Sequence, residues 1–156
     1  MINVLTLYRN HLGCHLGKEY VGCIVYADDI LLLSASVVQL QRMLDLCVKC
    51  GDKLDIIFNA SKSVLFKVGK VFREKLDNLY LGMKVLCWCD HFKYLGTHFI
   101  SDQFLKADIS QSVRNHASAN AIYSHNLLDL LRNIDPRSFY SALFFLWTHS
   151  EPMGLN

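Results

Sequence analysis

Two adjacent carboxylates, Asp28 and Asp29, are the residues best suited to chemistry in this sequence. They stand between the apolar runs 22–25 and 30–33, where a charge is costly unless it is paired or metal-bound. Magnesium takes oxygen ligands, usually from one or two carboxylates, and fills its other positions with water and substrate phosphates. The pair therefore predicts a divalent-metal site. The alternative is an exposed hairpin turn, in which Asp is common because it hydrogen-bonds its own backbone.

The two carboxylates should not contribute equally to such a site. Consecutive residues of a strand point to opposite faces of the sheet. We therefore expect Asp28 to be the main metal ligand and Asp29 to support it.

The surrounding pattern predicts the elements that hold these residues. Residues 20–36 place two β-branched and aliphatic runs on either side of a polar kink, which indicates a β-hairpin with the carboxylates at its bend. Residues 38–51 carry apolar side chains at helical spacing and end on a glycine, which predicts a helix. Residues 54–58 fit a strand, 59–62 a polar turn, and 63–67 a further extended segment.

The second half of the chain predicts another hairpin followed by helices. Residues 82–89 and 93–100 resemble paired strands, and small or apolar residues over 109–131 recur at the spacing of a long amphipathic helix. Pro136 is expected to interrupt it before a final apolar helix over residues 139–147. The predicted fold class is α+β, an antiparallel sheet backed by one or two helices.

Composition limits the class of protein. The chain of 156 residues is 52% hydrophobic and 19% charged, with a mean hydropathy of +0.21, so it can form a core and some apolar surface is expected to meet a partner. A net charge of +2 is small for a self-sufficient nucleic-acid binder. No apolar run reaches the roughly 20 residues that cross a bilayer, and the first residues do not read as a signal peptide. We expect an intracellular protein, in the cytoplasm or nucleus, with reduced cysteines and no membrane partner.

Several motifs together resemble one protein family. The string YADDILLLS at 26–34 resembles the catalytic hairpin of reverse transcriptases, most closely that of non-LTR, LINE-type retrotransposons. GCHLG at 13–17 is similar to the segment leading into that hairpin, residues 47–63 look like the next palm motif, and FKYLG at 92–96 looks like the hairpin that holds the primer end. The resemblance implies a partial reverse-transcriptase palm over residues 1–101 and a helical thumb-like segment and tail over 102–156.

The resemblance also implies roles for individual residues. Asp28 and Asp29 would hold magnesium ions for in-line nucleotidyl transfer from deoxynucleoside triphosphates to a DNA primer paired with an RNA template. Tyr26 and Ala27 would border the incoming nucleotide and the primer. Lys62 would protonate or neutralise the leaving group, although an exposed turn lysine is an equally good interpretation of that residue alone.

The FKYLG motif would supply the primer grip. The resemblance assigns this role to Tyr94, Leu95 and Gly96, and a glycine there lets the backbone approach nucleic acid closely. For the Tyr and Leu side chains, a packed hairpin strand is the alternative.

One feature of the family pattern is missing from this sequence. The family uses a third aspartate on an upstream strand, whereas the 27 residues before Asp28 contain no aspartate, and Glu19 is their sole acidic residue. We therefore expect negligible polymerase activity from this polypeptide alone, with the missing part of the polymerase as a possible partner.

Two other functions remain open at this point. The first is a zinc-binding module that uses Cys47, Cys50, Cys87, Cys89 and His91, against which buried reduced cysteines are the plainer interpretation. The second is a non-catalytic interaction module whose apolar C-terminal helices dock a partner.

Overall fold

The computed structural model describes residues 4–26, 29–69, 73–94, 97–103, 106–108, 129 and 140–147. Within them the helices are α1 (Val4–Arg9) and α2 (Val37–Asp52). The strands are β1 (His15–Leu16), β2 (Glu19–Tyr20), β3 (Cys23–Tyr26), β4 (Asp29–Ser34), β5 (Val64–Gly69), β6 (Leu79–Leu81), β7 (Lys84–Leu86), β8 (Trp88–Cys89), β9 (His91–Tyr94), β10 (Thr97–Ile100), β11 (Lys106–Asp108) and β12 (Tyr140–Trp147). In this part of the chain, no helix has both the length and the apolarity of a membrane span.

A five-stranded sheet in the order β3-β4-β12-β5-β8 is the centre of the fold. β12 lies between β4 and β5 and is antiparallel to both, while β8 pairs with β5 in parallel. Three smaller sheets surround it: β1-β2, β6-β7 and β11-β10-β9. The predicted α+β fold is confirmed.

The predicted acidic hairpin is also confirmed, as β3 and β4. The pairing runs from Cys23 with Leu32 to Tyr26 with Asp29. Side chains of β4 alternate between two buried clusters: Ile30 and Leu32 belong to one and Leu31 and Leu33 to the other. Because both faces of the strand are covered, its sequence is a continuous apolar run.

Helix α2 covers one face of the sheet. Its N-cap is Ser36, whose side-chain oxygen accepts a hydrogen bond from the Gln39 amide at 3.5 Å. Its buried stripe packs against Leu32 and Leu65 of the sheet and consists of Leu40, Met43, Leu44 and Cys47. The predicted helix over 38–51 is therefore confirmed almost to the residue.

The strand predicted over residues 54–58 is wrong. Residues 53–55 form a turn after α2, in which Asp55 adopts a φ of 54° and the Ile56 amide donates to the Gly51 carbonyl at 3.0 Å. The side chains of Leu54 and Ile57 are exposed, so these apolar residues do not belong to the buried face of a strand. The extended segment predicted after the 59–62 turn is confirmed as β5.

The second hairpin differs from its prediction. Instead of one hairpin that joins 82–89 to 93–100, there are two: β6 pairs with β7, and β9 pairs with β10. Gly82, at a φ of 61°, provides the left-handed position in the β6-β7 turn. Each turn thus closes its own short hairpin, and the Trp88–Cys89 segment between them joins the central sheet.

The final helix predicted over 139–147 is wrong, because residues 140–147 form the long strand β12. An apolar octet is compatible with either structure, and the position between two buried strands decides for the strand. The long helix predicted over 109–131 lies outside the described residues except for Asp129, which is helical.

An aromatic cluster fixes the β9-β10 hairpin on the face of the sheet opposite α2. The Phe92 ring meets Phe66 of β5 edge-on, with 4.8 Å between centroids, and stacks on Phe99 at 5.0 Å. Phe66 and Phe99 are buried with Leu31 and Leu33 in the second core cluster. The sheet is therefore covered on both faces, by a helix on one and by a hairpin on the other.

Candidate functional site

Asp29 is the one candidate metal ligand whose position the described residues include. It is the first residue of β4 and is partly buried. In the sheet it lies opposite Tyr26 of β3 on one side and opposite Trp147 of β12 on the other. Ala27 and Asp28, which lie between Tyr26 and Asp29 in the chain, are outside the described residues.

Strand alternation assigns Asp29 to one face of the sheet. It falls in register with Leu31 and Leu33, which belong to the cluster on the face opposite α2. The β9-β10 hairpin packs on this same face through Phe92. The face that carries the acidic bend is thus also the face that carries the candidate primer-grip hairpin.

Lys62 occupies a turn organised by Asn59. The Asn59 side-chain oxygen accepts hydrogen bonds from the Ser61 amide at 3.0 Å and the Ser61 hydroxyl at 2.6 Å. The Asn59 carbonyl accepts from the amides of Lys62 and Ser63 at 3.1 and 3.0 Å. Lys62 is exposed, and this turn fixes the backbone from which its side chain extends.

The sheet register places Lys62 and Asp29 at the same end of the molecule. Phe145 of β12 lies opposite both Leu31 and Val64, so these two residues are level across the sheet. Asp29 is the first residue of β4, and Lys62 lies in the turn that precedes β5, so both are at the end of the sheet where these two strands begin.

The candidate primer grip is described only in part. Tyr94 is the last residue of β9, whereas Leu95 and Gly96, at the hairpin bend, lie outside the described residues. The hairpin itself is well anchored, because Phe92 and Phe99 attach it to Phe66.

The donor set at the acidic bend suits a hydrated cation. Among the described residues, no three His, Cys, Asp or Glu side chains come together as a metal site. A partly buried Asp29, with Asp28 beside it in the chain, fits a magnesium-like ion that takes most of its ligands from water and phosphate. It does not fit an ion enclosed by protein ligands alone.

The six cysteines are free thiols, and three of them, Cys14, Cys23 and Cys47, are buried in the core. Burial raises the pKa of Cys23 to about 12, and it also raises the pKa of Cys47. Cys87 is exposed, and Cys50 and Cys89 are partly buried. The buried thiols are therefore protonated at neutral pH and pack as small apolar groups.

The sequence did not identify every residue that builds this site. Phe66, Phe92 and Phe99 attach the hairpin to the sheet, and Trp147 is the strand neighbour of Asp29. These contacts join residues far apart in the chain, and local periodicity carries no signal for them.

Fold and site together define an α+β protein whose central sheet carries an acidic hairpin bend and a lysine turn at one end. Residues 1–99 match the model of the family described as reverse transcriptase (RNA-dependent DNA polymerase), and the chain belongs to this family. The family generally uses a divalent metal ion. No curated protein and no solved structure matches the chain.

Proposed function

We propose that this chain carries the acidic hairpin of an RNA-directed DNA polymerase of the non-LTR, LINE-type lineage, within a partial palm over residues 1–101 and a thumb-like segment over 102–156. The reaction is nucleotidyl transfer from a deoxynucleoside triphosphate to a primer 3′-hydroxyl on an RNA template. The observation that carries the proposal is the position of Asp29, which begins a buried strand inside the family match. The proposal implies an intracellular location.

Asp28 and Asp29 are the proposed metal ligands, with Asp28 as the main one. A bound magnesium ion would stabilise charge on the attacking hydroxyl and the leaving pyrophosphate. Tyr26 and Ala27, which precede the carboxylates, would border the nucleotide and the primer end. Both residues come immediately before Asp28 in the sequence.

Lys62 is the proposed partner of the leaving group. Its turn directly precedes β5, at the end of the sheet where β4 begins with Asp29. A lysine ammonium there would neutralise charge on the departing phosphates. Tyr94, Leu95 and Gly96 would hold the primer backbone, on a hairpin packed against the face that Asp29 shares.

The polypeptide of 156 residues is proposed to be inactive by itself. Two-metal transfer needs positioned negative charge around both ions, and no aspartate precedes Asp28 in this sequence. Synthesis would require a further carboxylate and a template-binding part beyond the 156 residues of this sequence.

Two measurements on the purified chain test this proposal. Mn²⁺ titration followed by electron paramagnetic resonance should show weak binding that Asp28→Asn and Asp29→Asn reduce. The matched control Asp52→Asn, which removes an exposed carboxylate at the end of α2, should leave binding unchanged. Equal binding by all four proteins would overturn the metal role.

Primer extension on an RNA template tests the inactivity of the isolated chain. With Mg²⁺ and all four deoxynucleoside triphosphates, wild type and Asp28→Asn should give the same background signal. Extension by wild type above that of the variant would show that two carboxylates suffice, and the inactivity proposal would then be wrong.

A further inference from the structure

β12 reaches the metal site from a distant part of the chain. The family match ends at residue 99, yet residues 140–147 lie in the middle of the sheet on which Asp29 stands. Asp29 has two strand neighbours, Tyr26 and Trp147. Tyr26 belongs to the same hairpin as Asp29, so Trp147 is its only sheet neighbour from outside that hairpin in the described part of the chain.

Register makes position 147 a potential ligand position. Residues directly opposite each other in an antiparallel pair have Cβ atoms about 4.5–5.5 Å apart. Two carboxylates at that spacing can share one divalent cation, and hard cations gain affinity as carboxylates are added. Tryptophan offers only an indole N–H donor and no oxygen, so it cannot serve as a ligand.

We infer that β12 borders the metal site. Residue 147 is the position on this strand from which a side chain can share a cation with Asp29. Trp147 leaves this position without a ligand, which keeps the divalent-metal affinity of the chain low. The inference rests on the proposed role of Asp29 as a metal ligand. It assigns a site position to the C-terminal segment, outside the family match.

The test compares Trp147→Asp with Trp147→Asn in the full chain. The two replacements match in size, so the loss of the indole is common to both and the difference is the carboxylate. Mn²⁺ affinity, measured by electron paramagnetic resonance, should be about tenfold higher for Trp147→Asp. Leu143→Asp, on the same strand but opposite Leu33, should bring no such gain.

A double-mutant cycle with Asp29→Asn tests whether the new ligand works through Asp29. The gain from Trp147→Asp should disappear in the Asp29→Asn background. Equal Mn²⁺ affinity of the Asp and Asn variants, or a gain that persists without Asp29, would overturn the inference. If the short side chains prevent folding, the longer pair Trp147→Glu and Trp147→Gln repeats the comparison with the same criteria.

Failure of this inference is distinguishable from failure of the proposed function. If Asp29→Asn weakens Mn²⁺ binding in the wild-type background while the two variants at 147 bind equally, only the inference fails. If the wild-type chain shows no Asp29-dependent binding, the proposed metal role fails, and the inference that rests on it fails with it.

Discussion

At the scale of single residues, Gly13 and Gly22 show how tightly the segment before the acidic hairpin is packed. A Cβ on Gly22 would lie 2.7 Å from the Gly13 Cα and 2.6 Å from the Tyr20 hydroxyl oxygen. The Leu33 amide donates to the Gly22 carbonyl at 2.9 Å, so this contact lies beside β4. Glycine at 22 is required by space rather than by backbone conformation.

We predict that Gly22→Ala lowers the free energy of unfolding by about 3 kcal/mol, because the added methyl group would force the Gly13 backbone and the Tyr20 ring to move apart from it. Gly17→Ala is the contrast: its φ is 61° but no atom lies within 4 Å of the added Cβ, so only backbone strain of about 1–2 kcal/mol applies. Urea unfolding monitored by circular dichroism measures both. A smaller loss for Gly22→Ala than for Gly17→Ala would contradict the packing argument.

Tyr20 adds a second residue-level feature. Its hydroxyl is buried, and within the described residues it has no hydrogen-bond partner. Burial raises the pKa of this phenol above its usual range, with the nearby Cys23 as a smaller cause. The hydroxyl therefore stays protonated across the physiological range and contributes no charge to the core.

At the scale of elements, the sequence predicted those structures whose signal is local. Helix α2 has an apolar stripe that ends on a glycine, and the β3-β4 hairpin has two apolar runs around a polar segment, so both were predicted. β12 was predicted as a helix because its eight residues lack a decisive period. What makes it a strand is the pair of neighbours β4 and β5, which sequence alone does not place beside it.

The candidate site divides in the same way. The acidic pair and the Lys62 turn were predicted as functional from residue type and motif order, and their roles stay predictions. Their relative position at one end of the sheet depends on how β12 aligns β4 with β5. That alignment is a long-range property, and no residue near Asp29 or Lys62 in the chain encodes it.

Ala142→Pro tests the contribution of β12 to the sheet. Ala142 lies opposite Ser34 of β4 and Lys67 of β5, so its amide faces a paired strand whichever side it points to. Proline removes that donor, and we expect a loss of about 3 kcal/mol or more in unfolding free energy. Ala142→Gly, which keeps the amide, should cost only about 1 kcal/mol. Equal urea midpoints for the two variants would show that β12 is not a central strand.

At the scale of the whole molecule, buried thiols connect stability to pH. Burial raises the pKa of Cys14 to about 11 and that of Cys23 to about 12, above the value of about 8.5 expected in the unfolded chain. A thiol whose pKa is raised by folding contributes its full stabilisation of the native state at pH values below the pKa that it has in the unfolded chain. This contribution is lost as pH rises towards the folded value.

We therefore predict that the urea midpoint stays level between pH 7 and 8 and falls progressively from about pH 9 to 11. Cys23→Ala should flatten that fall, although the variant is less stable at pH 7 because it leaves a small cavity. Cys87→Ala, at an exposed position, should leave the pH profile unchanged. A wild-type midpoint that rises between pH 9 and 11 would contradict this assignment.

The central place of β12 also has a consequence for synthesis on the ribosome. β4 and β5 are made before residues 70–139, and the strand that pairs with both is made only after them. Until then, their apolar edges have no partner within the nascent chain, a state that favours aggregation and slows folding. Chaperones that hold extended apolar segments should therefore bind this protein during translation and release it only once residue 147 has left the exit tunnel.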